Sequence, residues 1–95
     1  MATSKIHSDV LTPMVDLRSG SVLDYALSCP NNTFSVVWVD SACTDKPTNG
    51  SGGMQVFANR FGLKRVIYFS TTGDGYQNKS TDGETWGTWE KIFDV

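Results

Sequence analysis

Gly75-Tyr76-Gln77-Asn78-Lys79-Ser80-Thr81-Asp82-Gly83-Glu84-Thr85-Trp86-Gly87-Thr88-Trp89-Glu90-Lys91-Ile92 decides the fold class of this chain. A polar-aromatic run enters Asp82-Gly83, turns, and returns carrying two of the three tryptophans. Asp-Gly between two strand-like runs is a strong hairpin signal, because a type I′ turn needs positive φ at both central residues. With these two as the loop, Thr81 faces Glu84, Lys79 faces Trp86, Asn78 faces Gly87 and Tyr76 faces Trp89. That register puts Tyr76 and Trp89 on the core face and Trp86 on the opposite face, beside Lys79 and Ile92. Another subunit, the helix or a ligand should then cover Trp86. A bulge at Gly87 is the alternative, and it would bring both tryptophans to one side.

Working back towards the N-terminus, Leu63-Lys64-Arg65-Val66-Ile67-Tyr68-Phe69 and Met54-Gln55-Val56-Phe57-Ala58-Asn59-Arg60-Phe61 read as two further strands, with Gly62 alone or Arg60 through Gly62 as the turn. Ser41 to Gly53 is a polar loop. Phe34-Ser35-Val36-Val37-Trp38-Val39 is a strand apolar on both faces, as expected in a sheet interior or at a subunit interface. Trp38 and Trp89 are expected to fill the core. Ser21-Val22-Leu23-Asp24-Tyr25-Ala26-Leu27-Ser28 is read as a helix, with Ser21 and Asp24 in a capping-box relation, Leu23, Ala26 and Leu27 on the inner face, and Pro30 as the stop. A strand with Leu23, Tyr25 and Leu27 alternating is the other reading of those residues. Met14-Val15-Asp16-Leu17 is a short extended segment. The expectation is a mainly β (α+β) fold, a small antiparallel sheet of four to five strands with one short helix near the N-terminus. Residues 14–95 form the single domain, and residues 1–13 form a flexible or strand-swapped lead.

Composition bounds the function. The chain has 95 residues, enough for one domain, which buries roughly 60–70% of its unfolded surface. Net charge is −2 with eight scattered Lys and Arg, so no clustered basic face for nucleic acid is expected. No apolar run approaches the ~20 residues of a membrane-spanning helix, and the first residues lack the apolar stretch of a secretory signal. The expectation is a chain made and left in the cytoplasm unless lysis or attached machinery carries it out. Cys29 and Cys43 are the two cysteines, and the strand between them would hold their ends too far apart to bridge, so two free, buried thiols are expected. Asn31, Asn49 and Asn78 begin Asn-x-Ser/Thr triplets, which carry meaning only in a eukaryotic secretory context.

Catalytic constellations are missing from the sequence. His7 is the one histidine and sits in the lead, out of reach of any triad or metal set. Asp24, Asp40, Asp45, Asp74, Asp82 and Glu84 read as cap and turn residues. Gly50-Ser51-Gly52-Gly53 lacks the Lys and the following helix of a phosphate loop. The expectation is a protein that is not an enzyme, with no catalytic residue, no metal and no cofactor.

The Tyr strand, the Thr81-Asp82-Gly83 turn, the Trp86-x-x-Trp89 pair and the closing Glu90-Lys91-Ile92 resemble the terminal signature of knob domains on phage and pyocin tail fibres. The resemblance extends over residues 14–93 as a pattern: Asp16-Leu17 before the helix, Leu23-Asp24-Tyr25-Ala26-Leu27 followed by Pro30, an aliphatic-aromatic strand and a polar loop. It implies a virion protein that forms a homotrimer at a fibre tip, joins the rest of a fibre or virion, and attaches to a host cell-surface glycan or protein receptor. The other implied role is purely structural: fibre trimerisation, baseplate accessory or capsid decoration without a ligand. The chain has no repetitive shaft and no collagen-like repeat, as a fibre tip or a short accessory fibre would. By chemistry rather than by resemblance, the hydroxyls, amides and charge of Asp45, Thr48, Asn49 and Ser51, together with Trp86 and Lys79, are the candidate ligand-binding residues. Hydroxyls and amides suit sugar hydroxyls, and loops on a rigid sheet commonly host binding.

Overall fold

The computed structural model describes residues 14–94, and the lead with His7 lies outside them. The elements in order are β1 (Val15–Leu17), α1 (Val22–Ser28), β2 (Thr33–Val39), β3 (Gly52–Ala58), β4 (Lys64–Ser70), β5 (Gly75–Ser80) and β6 (Glu90–Phe93). They make one mainly β sheet of six strands in sequence order, β1 to β6. Strand β1 runs parallel to β2, with Val15 opposite Val37 and Leu17 opposite Val39. Every later pairing is antiparallel. The count exceeds the expected four to five because Val15–Leu17 adds a parallel edge.

Side chains alternate across the sheet, and one face is closed by α1. Val37 and Val39 on β2, Met54, Val56 and Ala58 on β3, and Val66 and Tyr68 on β4 point to that face and are buried. Val22 and Ala26 of the helix meet them, with Cys29 and Cys43 completing the cluster. Both cysteines are free and buried, as their spacing suggested. The helix is rolled from the expected face: Val22 and Ala26 are fully buried, while Leu23 and Leu27 are only partly covered.

Local chemistry sets the helix ends. Ser21 holds extended backbone, and its hydroxyl accepts the Asp24 N–H at 3.2 Å, one of the donors a helix start leaves open. At the other end Lys64, buried on β4, donates its Nζ to the Leu27 carbonyl at 2.8 Å and to the Cys29 carbonyl. A cation at a helix C-terminus satisfies the last carbonyls and offsets the negative end of the dipole. Lys64 therefore ties α1 to the middle of the sheet.

The Asp82-Gly83 segment corrects the expected hairpin. Only Gly83 has positive φ, at 75°, so the turn is not type I′. Asp82 instead folds the chain around its own carboxylate. Oδ1 accepts the N–H groups of Glu84 and Thr85 at 2.8 Å each, and Oδ2 accepts the Thr85 hydroxyl at 2.7 Å. These donors hold the Asp82 carboxyl well below the usual carboxylate range, the Thr85 N–H being the largest contributor. The chain stays out of the ladder until Glu90. Gln77 then faces Glu90, Tyr76 faces Lys91 and Gly75 faces Phe93, with an irregularity between Gly75 and Tyr76 that leaves Ile92 as the extra residue. Tyr76 therefore does not oppose Trp89.

Candidate functional site

The wide turn carries both tryptophans to the helix side. Trp86 donates its indole N–H to the Leu23 carbonyl at 3.2 Å, and Trp89 donates to the Asp45 carbonyl at 2.8 Å. The Trp89 ring meets Tyr68 edge to face at 6.0 Å. Both rings pack on the core cluster as partly buried residues. Of the three covers the sequence allowed for Trp86, the helix is the one present. Trp86 is thus not an outer-face contact residue beside Lys79. Trp38, expected in the core, lies on the other face of the sheet.

That other face carries the exposed apolar groups. No helix or loop of the described residues lies across it, and its side chains form three cross-strand rows. One row runs Phe34, Phe57, Arg65, Lys79; the next runs Val36, Gln55, Ile67, Gln77, Glu90. The third runs Asp16, Trp38, Gly53, Phe69, Gly75, Phe93. Phe34, Phe57 and Phe93 are each more than half exposed, at 54%, 56% and 57%, and Trp38 and Phe69 follow at 39% and 42%. Phe34 and Phe57 make an edge-to-face pair at 6.2 Å. Gly75 lets Phe69 and Phe93 converge: a Cβ there would come within 2.9 Å of the Phe93 Cβ and 3.2 Å of the Phe69 ring. Single exposed apolar residues are ordinary, whereas five aromatic rings exposed on one sheet face are not.

A polar cavity of about 340 Å³ opens at one corner, where residues 81–89 leave β5 before β6 begins. Arg65, Gln77, Lys79, Thr88 and Glu90 line it, with Asn78 and Gly87 as its back wall. Asn78 is buried and spans the gap, donating Nδ2 to the Gly87 carbonyl at 3.1 Å and accepting the Lys79 N–H at 2.8 Å.

Of the expected ligand-binding residues, only Lys79 reaches this cavity. Asp45, Thr48, Asn49 and Ser51 belong to a loop folded on itself on the helix side. The Asp45 carboxylate accepts the Ser21 hydroxyl, and its carbonyl holds Trp89. Lys46 pins the loop by donating to the Ser41 and Gly50 carbonyls at 2.8 and 2.6 Å. Ser51 accepts the Thr71 N–H through its carbonyl. The Thr48 hydroxyl oxygen is buried, and Asn49 is exposed. The expected six residues do not form one site. Sequence reading missed Arg65, Gln77, Glu90 and the outer phenylalanines. The strand alternation of β3 and β4 held the signal for Phe57, Phe69 and Arg65.

Among the described residues no three His, Cys, Asp or Glu side chains gather where they could hold a metal. Burial pushes the Tyr68 and Tyr25 hydroxyls up, so both stay protonated near neutrality. No protein-family model matches the chain, and neither a curated protein nor a solved structure matches it.

Proposed function

We propose that this chain is a non-catalytic virion module, a fibre knob that assembles as a homotrimer and presents itself to a host cell surface, with the outer sheet face packed between copies. The observation that supports it is the uncovered aromatic face of Phe34, Trp38, Phe57, Phe69 and Phe93. Soluble monomers rarely leave contiguous apolar patches beyond a few hundred Å² in water. A second copy of the same chain is the occupant best suited to it, because closed cyclic symmetry is the default for chains that self-associate. The number three, the virion and the host surface come from the resemblance of the terminal segment to fibre knobs.

Sedimentation at micromolar concentration tests the assembly. The wild-type chain is expected to sediment as a trimer. Phe57→Glu places a charge on this face, beside Phe34, without touching the helix-side core, so it should sediment as a monomer that circular dichroism shows to be folded. A monomeric wild type would overturn the proposal. A purely structural role, with no receptor, predicts that a glycan array probed with the trimer stays blank.

A further inference from the structure

Arg65 and Lys79 are directly opposed across β4 and β5, and both line the corner cavity. Like charges placed opposite one another on a sheet repel and cost stability unless something offsets them. No ion pair to either cation is found among the described residues, and Glu90 alone sets one negative charge against their two on the cavity wall. The ion pairs there join Arg18 to Asp16 and Lys91 to Asp74 and Asp94. The single carboxylate on the cavity wall, Glu90, gives one oxygen to the Gln77 amide at 2.9 Å. Two cations thus face a common space with their donors unspent.

The shape of that space is fixed by the chain. Asn78 bridges to Gly87, and the Gly87 N–H reaches the Lys79 carbonyl at 3.2 Å, so the back wall is held by a buried amide rather than by loose surface side chains. Apart from Gly87, every lining residue carries a polar or charged side chain, so a ligand here must bring groups that hydrogen-bond. At about 340 Å³ the cavity falls within the range of small-molecule sites, roughly 300–1,000 Å³, and exceeds what a bare inorganic anion fills. Beside the cations stand a carboxylate that accepts and a Thr hydroxyl that both donates and accepts, which suit hydroxyl groups.

We infer that this cavity binds a small hydroxyl-bearing oxyanion, a sugar acid or sugar phosphate. Its carboxylate or phosphate lies against Arg65 and Lys79, and its hydroxyls lie against Glu90 and Thr88. Arg65, Gln77, Lys79 and Glu90 lie on the same outer face, towards its β5–β6 margin, so the site rests on that corner staying open in the assembly proposed above.

The test is an amide NMR titration of the full chain at constant ionic strength with four probes: glucuronate, glucose 6-phosphate, inorganic phosphate and glucose. Both sugar anions should saturate and shift the amides of residues 77–79 and 87–90. Whichever of the two binds tighter identifies the anionic group. Phosphate should bind the same residues more weakly, and glucose should leave them unmoved. Lys79→Gln and Arg65→Gln, both at exposed positions, should each weaken the sugar anions about tenfold, the effect of losing one charge-assisted hydrogen bond. Thr88→Val should weaken the sugar anions and leave phosphate unchanged. Three results would overturn the assignment: shifts that spread over the surface without saturating, glucose binding as well as glucuronate, or unchanged affinity in Lys79→Gln. A fourth is oligomer dissociation in Lys79→Gln with no probe bound by the wild type, since the cations would then serve a carboxylate of a second copy.

Discussion

Gly52 and Gly53 are adjacent in β3 and point to opposite faces, so the same added methyl group should act in opposite directions. A Cβ on Gly52 would sit 2.4 Å from the Phe69 carbonyl oxygen, 2.6 Å from the Tyr68 hydroxyl oxygen and 2.7 Å from the ring carbon that bears it. Neither neighbour yields easily. The carbonyl belongs to the partner strand β4, and Tyr68 is a rigid ring at 0% exposure. Overpacking of this kind costs roughly 1–3 kcal/mol, and two unyielding contacts place Gly52→Ala near the top of that range. For a domain of this size about 3 kcal/mol lowers Tm by roughly 12 °C or more. A Cβ on Gly53 would have nothing within 4 Å. Gly53→Ala should instead stabilise by about 0.5–1 kcal/mol, because Ala gives up less backbone freedom in a strand. Urea and thermal unfolding followed by circular dichroism read both variants in one experiment. Equal effects of the two substitutions, or an unchanged midpoint for Gly52→Ala, would refute the assignment of faces on β3 and the close approach of β4.

Trp86→Ala and Trp89→Ala should each destabilise by about 2–4 kcal/mol, since both rings are partly buried and each leaves a carbonyl without its indole partner; a neutral Trp86→Ala in chemical denaturation would contradict the helix-side placement. The Asp82 carboxyl is held below its ordinary value of about 3.9, so its stabilising contribution is fully present above that pH and is lost as pH falls towards the depressed folded value. Urea midpoints measured from pH 6 to pH 2 should therefore fall more steeply for the wild type than for Asp82→Asn, and parallel curves would sink the proposal.

Much of the architecture was legible because it rests on short-range rules. Ser21 with Asp24 and Pro30 bounded the helix, and the β-branched and aromatic runs marked β2 to β4. The phase of β2 was not legible. Phe34, Val36 and Trp38 compete with Val37 and Val39, and only the placement of α1 decides which set is covered. Three residues carry too little pattern to announce β1 as a parallel edge. The terminal hairpin misled because Asp-Gly supports two geometries. A primed turn keeps the strands paired, whereas here the Asp82 side chain captures the N–H groups of Glu84 and Thr85 and opens the loop. Once open, the tryptophans reach carbonyls 63 and 44 residues earlier in the chain, partners that no local pattern encodes. The corner cavity is a product of the same opening; Lys79 was singled out only because the expected register set it beside Trp86, and no local pattern pointed to Arg65 or Glu90.

The two margins of the sheet bear on how copies of this chain would meet in the assembly proposed above. The strand assigned at one margin is three residues long, and the other margin is four residues interrupted by Ile92 and carrying Lys91. Short, kinked or charged borders are poor templates for backbone pairing with a neighbour. Addition of strand to strand, which has no natural end and leads to fibrils, is thereby disfavoured at both sides. In the assembly proposed above, contact runs instead through the side chains of the aromatic face, which is used up once it is covered. Borders of this kind would keep such an assembly finite rather than open-ended.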